Sequence, residues 1–337
     1  MKKLKEVDTN KFLLLITIVM FFVMYGIGMV VFADNGFAKM QVFLNLFINN
    51  AGLIVIATSM TMVLITGGID ISVGSMVAMN CMILAYFMEQ KHMNAYAAMG
   101  FVMVVGVVFG AVQGFLISYL DIQPFIVTLA GMFFGRGMTA VISKEMISIT
   151  NLDFQKLARW KVSLPFGGHT NSHGVTLYPY VYLSVVIALV VLVLMFIMLK
   201  FTKFGRNIYA VGGNQQSAML MGLNVKRTKF LVYVLDGVLV SLGSILFCMN
   251  TCAGFVEQAK GFEMEAIAGA VIGGTLLTGG VGNVFGSLFG VMIKGTIESF
   301  ISFQGTLSSW WTKIVIALLL TFFIVLQSVF AKIKAKK

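Results

Sequence analysis

Residues 51–88 read AGLIVIATSM TMVLITGGID ISVGSMVAMN CMILAYFM. Two apolar runs meet there at a short polar joint, Gly67-Gly68-Ile69-Asp70-Ile71-Ser72. Each run is close to the ~20 residues that carry a helix across a bilayer. A carboxylate between them is costly unless it is paired, solvated or capping a helix. Asp70 and Ser72 stand just ahead of the second run, where oxygen side chains cap helix N-termini. The glycines allow an irregular backbone, tolerated at membrane depth only inside protein or beside water. The joint is therefore either a helix cap or part of a gated passage.

The rest of the chain has the same character. Of its 337 residues 59 % are hydrophobic and only 11 % are charged, with a mean hydropathy of +0.95. Soluble domains are nearer half apolar and a quarter charged. Apolar runs fall near 12–32, 42–66, 72–88, 94–117, 125–142, 178–199, 230–249, 265–279, 283–303 and 311–331. The expectation is an all-α polytopic membrane protein, a single domain over 1–337 with about ten transmembrane helices. The glycine-rich run 265–279 is short enough to be re-entrant or broken. No convincing cleavable signal peptide opens the chain.

A net charge of +11 would suggest nucleic acid in a soluble protein. Here the charges sit between apolar runs and report topology instead. Fourteen of the 24 basic residues fall in 1–11, in the loop 200–229 and in the tail 332–337. The positive-inside rule makes these three segments cytoplasmic, with both termini inside and an even number of spans. The polar loop 143–177 is then extracytoplasmic. Tyr178, Tyr180, Tyr182, Trp310 and Trp311 fit interfacial belts, and Cys81, Cys248 and Cys252 read as small apolar residues.

Three further segments carry information. Gln123-Pro124-Phe125-Ile126-Val127-Thr128 opens the fifth run, with proline where a helix start tolerates it; Thr128 bonds its own backbone or faces a pathway. Farther along, Arg136 is expected to snorkel or meet a carboxylate. In the basic loop, Gly205, Arg206, Gly212, Gly213 and Asn214 precede a short helix over 214–222 for which Asn214 is the N-cap candidate. That loop is a docking element or a lipid-anchored inner loop. From Glu263 onward, Gly273, Gly274, Gly282, Gly286 and Gly290 include small residues at four-residue spacing, which lets membrane helices approach closely. Glu263 and Glu265 stand at the outer entrance.

The stretches GGIDISVGS, PFIVTLAGM, GRNIYAVGGN and AVIGGT, in that order, resemble the ribose/galactose-type sugar permeases of ATP-binding cassette importers. The likeness runs over roughly 40–330. The tail GTLSSWWTKI, with LAGMFF, further resembles the permeases of galactofuranose importers. The resemblance implies an importer permease fold in a bacterial inner membrane, working with an extracytoplasmic sugar-binding protein and a second permease, identical or different. It also implies an ATPase with two nucleotide domains that docks on 201–224. Asp70, Ser72, Gln123, Phe125 and Thr128 become pathway candidates, because sugars are held by hydroxyl hydrogen bonds and by apolar ring faces on aromatics. The long basic loop 143–177 departs from the family.

The chain has no Gly-x-x-x-x-Gly-Lys-Ser/Thr loop for nucleotide phosphates. It is expected to be no enzyme and to hold no cofactor, ATP and magnesium belonging to the partner. One rival is an ion-coupled transporter using Asp70, Asp236 and Glu298, although Glu298 is spaced to pair with Lys294. Asp236 is expected to meet a cation. The other rival, a membrane enzyme, would rest on His92 in a short outer loop and on His169 and His173, a pair that makes a poor metal site without an acid or cysteine nearby.

Overall fold

The computed structural model describes residues 9–170, 176–306, 308 and 310–335. Lys2, Lys3, Lys5, His173, Lys336 and Lys337 lie outside the described residues. Each of the ten apolar runs contains a helix: α1 (Thr9–Val31), α2 (Met40–Ile65), α3 (Val73–Glu89), α4 (Ala95–Ser118), α5 (Pro124–Ile142), α7 (Leu183–Phe201), α10 (Val225–Thr251), α11 (Phe262–Ile272), α12 (Val284–Gln304) and α13 (Trp310–Ala335). Seven of these, all but α3, α11 and α13, are long and apolar enough within the described residues to cross a membrane. The protein is a multi-pass membrane protein. α11 spans 11 residues and stops at Gly273, so this short run does not cross as one helix.

α2 is the axis of the bundle, with 94 % of its best apolar window buried. α10 packs along α2 and α4, and α12 packs along α2 and α11. Small residues make these contacts close. On α4, Gly106, Gly110 and Gly114 recur every fourth residue and lie against Gly237 and Tyr233 of α10. Gly273 faces the backbone of Gly286, and Gly290 faces the carbonyl of Gly269, so a methyl group at any of these would meet main chain. Gly282 rests on Ile65, and Gly274, at φ 93°, sits in a turn after α11.

The segment after α5 differs from a plain loop. It holds α6 (Leu152–Ala158), capped by the Asn151 carboxamide, which accepts from the N–H groups of Asp153 and Phe154. Strand β1 (Ile147–Ser148) precedes α6, and β2 (Lys161–Ser163), β3 (His169–Thr170), β4 (Thr176–Leu177) and β5 (Tyr180–Tyr182) follow it. β2 pairs antiparallel with β5 and β3 with β4, whereas β1 pairs with the distant β6 (Ala253–Gly254) after α10. The apolar-run pattern carries no sign of these two- and three-residue ladders. Glu89, closing α3, anchors the segment by accepting from the N–H groups of Thr150 and Asn151 at 2.8 and 2.9 Å.

Two helices lie at the opposite end of the bundle, α8 (Lys203–Gly213) and α9 (Gln215–Leu220). Asn214 caps α9 as expected, accepting from Ser217 N–H at 2.8 Å. α8 itself was not legible beforehand. Overpacking a tight backbone contact costs about 1–3 kcal/mol. Gly290→Val is therefore expected to lower the unfolding temperature of the purified protein in detergent, while Gly213→Ala, with open space around it, leaves it unchanged.

Candidate functional site

The joint after α2 is built by backbone first. Gly67, in left-handed conformation (φ 76°), donates its N–H to Leu64 O at 2.9 Å, and Gly68 N–H reaches Val63 O at 3.2 Å. These bonds close the helix and turn the chain back into the bundle. Asp70 Oδ1 then accepts from both Ser72 N–H (2.7 Å) and Ser72 Oγ (2.6 Å), forming the start of α3. Gln113 of α4 donates to Ser72 Oγ at 3.0 Å. The Asp70 carboxyl is also in hydrogen-bond contact with the carboxyl of Asp236 on α10, to which Ser59 of α2 donates. Tyr233 Oη caps the group through Ile69 O at 3.3 Å.

This network joins α2, α3, α4 and α10 with every member at most 4 % exposed. Asp236 thus meets an acid where the sequence suggested a cation. Gln113, a polar residue in an apolar run, is the member that a sequence signal marks; nothing singles out Ser59 or Tyr233.

The pathway candidates separate. Asp70, Ser72 and Thr128 are buried, and Thr128 Oγ1 bonds Pro124 O at 2.9 Å on its own helix. Gln123 and Phe125 are exposed at the start of α5. Among the described residues Arg136 forms no ion pair with a carboxylate; its Nη1 donates to Val256 O (2.6 Å) and Gln258 O (2.8 Å). A cavity of about 920 Å³ between α3, α4 and α5 is walled by Phe109, Phe134, Met138 and other apolar side chains, with Gln113 and Tyr86 as its polar fringe. It lacks the array of donors and acceptors that a sugar needs.

A second group of intramembrane charges is paired. Lys294, 8 % exposed, stands 2.7 Å from Glu298 and 3.1 Å from Glu265 of α11, with Asn50 Oδ1 of α2 at 3.4 Å. Among the described residues no group of three or more His, Cys, Asp or Glu side chains is placed to hold a metal ion.

At the α8 end, three main-chain segments converge. Gly212 lies on the carbonyl of Ile65, too close for any side chain. Gly280 N–H donates to that same carbonyl at 2.8 Å. Tyr209 Oη of α8 donates to Gly282 O at 2.8 Å. Of the loop residues singled out by sequence, Gly212 makes this contact and Gly205 packs on Leu199. Gly213 and Asn214 are exposed, as is Arg206. Beyond them the tip of α9 presents Met219, Leu220 and Met221 at 57, 89 and 69 % exposure.

Residues 42–324 match the family described as branched-chain amino acid transport system / permease component. The chain belongs to this family of membrane permeases. It is 43 % identical over 292 residues to the inner membrane ABC transporter permease protein YjfF of Escherichia coli, covering 87 % of this chain and 85 % of the relative. The fructose import permease FruG of Bifidobacterium longum is 35 % identical over 97 % of this chain and 93 % of its own. The ribose import permease RbsC of E. coli is 34 % identical over 79 % of each. No solved structure matches the chain.

Removing one partner of a buried polar pair costs about 1–3 kcal/mol. Asp236→Ala is therefore expected to lower thermal stability by several degrees. Asp236→Asn, whose amide donates to Asp70, should stay within about a degree of wild type.

Proposed function

We propose that this permease is the membrane-spanning subunit of an ATP-driven importer of a monosaccharide in a bacterial inner membrane. The relatives named for ribose and fructose import support the substrate class. The match between the tail and galactofuranose permeases makes that sugar the first candidate. Partners of the kinds this importer class uses are an ATPase with two nucleotide domains, a second permease and an extracytoplasmic binding protein.

The observation that carries the reading is the convergence at Ile65. A displacement of α8 cannot leave the end of α2 in place, because Gly212 touches its last carbonyl. The same carbonyl holds the loop that leads into α12 through Gly280. Force on α8 and α9 therefore reaches the Asp70 joint and α12 through main chain, not through flexible side chains. The exposed Met219-Leu220-Met221 tip, with Lys226 and Arg227 nearby in sequence, offers an apolar anchor within a polar and basic rim, the pattern of a protein-docking patch. The basic loop 200–229 fits a cytoplasmic side for this end. Ion coupling has less support, since Asp70, Asp236, Glu265 and Glu298 all have protein partners.

Leu220→Asp, at a side chain with almost no packing to lose, is expected to leave the unfolding temperature unchanged. It should cut co-purification of the ATPase and ATP-driven uptake in proteoliposomes by at least about tenfold, the loss of one interface anchor. Uptake at the wild-type rate would remove α9 from the docking site.

A further inference from the structure

After α10 the chain does not cross directly into α11. Cys252 takes a left-handed conformation (φ 47°), and the backbone turns inward. β6 pairs with β1, and Gly254 lies against the main chain of Cys81 and Met82, halfway along α3. The loop continues until the Ala259 carbonyl and the Glu263 side chain stand against Gly74, the second residue of α3. That first turn of α3 is itself inside the bundle, since Ser75 lies under Gly135 of α5 and the adjoining Asp70 network reaches Ser59 of α2. Residues 253–261 are thus irregular backbone held at the depth of the helix interiors.

The inner side of this loop is satisfied by protein. Arg136 donates to two of its carbonyls. Gln258, 2 % exposed, donates to Ala253 O and Thr251 Oγ1, both at 3.1 Å, and accepts from Phe255 N–H at 3.2 Å. The outer side is different. Glu257 and Lys260 form an ion pair at 3.0 Å with side chains 67 and 75 % exposed. Met264, on the first turn of α11, is 55 % exposed. Irregular backbone at this depth is tolerated only inside protein or beside water, and exposed charge there is not compatible with hydrocarbon.

We propose that the re-entrant segment 255–264 forms part of the wall of the sugar passage, with Glu257, Lys260 and Met264 contacting the sugar. The assignment rests on the importer reading above for the identity of the cargo, and on the exposed Glu257–Lys260 pair at this depth for the water. The carboxylate of Glu257 accepts from sugar hydroxyls, the ammonium of Lys260 donates to them, and Met264 offers an apolar surface to the ring's C–H face. Arg136 is a positioning residue: it holds the loop and does not meet the sugar. Asp70, Ser72 and Thr128, buried within the protein, are not part of that wall.

The test uses the complete importer in proteoliposomes and a membrane-impermeant cationic methanethiosulfonate reagent. Glu257→Cys and Lys260→Cys are expected to react. Leu194→Cys on α7 and Phe22→Cys on α1, equally exposed in the chain but facing lipid in this account, should not. Reaction should lower ATP-driven uptake of labelled ribose, fructose or galactose at least tenfold. Lys260→Met and Glu257→Gln should raise the KM for uptake about tenfold, the loss of one charge-assisted hydrogen bond, without changing the amount of assembled complex. Cysteines at 257 and 260 as inert as the one at 194 would overturn the proposal, as would full labelling with unchanged uptake. Labelling at 257 and 260 in a wild-type background that takes up none of these sugars would uphold the aqueous wall and count against the importer reading instead.

Discussion

Main-chain polar groups that leave a helix at membrane depth must find partners inside the protein, and this fold is organised around two places where that happens. At the first, α2 stops at Ile65 and the chain re-enters as α3, with the loose ends taken up by Gly67, Gly68, Ser72 and the Asp70–Asp236 contact. At the second, α10 stops at Thr251 and the chain dips to Gly74 before α11 begins. A straight bundle would need neither arrangement. Both provide what a transporter requires, discontinuous helices whose ends can be repositioned without exposing unpaired backbone to lipid.

Glycine makes these breaks mechanically connected. Where Gly212 meets Ile65, and where Gly273 meets Gly286, main chain touches main chain. Contacts of that kind transmit displacement with little slack, because no rotamer change can absorb it. The inner helices, the α2–α3 joint and the start of α12 are therefore linked through main-chain contacts. The charged residues within the bundle help to define this arrangement: Lys294 ties α12 to Glu265 of α11, and breaking such a buried pair costs several kcal/mol.

Much of this was legible in the sequence, for identifiable reasons. Apolar runs located every long helix, because burial in lipid demands ~20 apolar residues regardless of tertiary context. The Asn214 cap and the Lys294–Glu298 pair followed from local spacing, which needs no knowledge of the fold, whereas Asp70 bonds Ser72 and no side chain caps the first turn of α3. The partners of Asp236 and Arg136 did not, since each lies more than a hundred residues away in sequence from its contact. The same is true of β1 and β6, two-residue strands that pair across the chain. Gly106, Gly110 and Gly114, not singled out from the sequence, form a four-residue small-residue repeat that marks the α4–α10 seam. The exposure of Glu257 and Lys260 was not readable, because an ion pair at i and i+3 looks the same on a surface loop as in a re-entrant one.

In the importer reading proposed above, the chain is a gate with no power source of its own, moved from the α8 end by another subunit. Its most direct test is solute accumulation in proteoliposomes containing this permease and its companion permease, with and without the ATPase, the binding protein and ATP. The prediction is concentration of a monosaccharide against its gradient only when the ATPase, the binding protein and ATP are all present. Accumulation by the permeases alone, driven by a proton or sodium gradient, would contradict it.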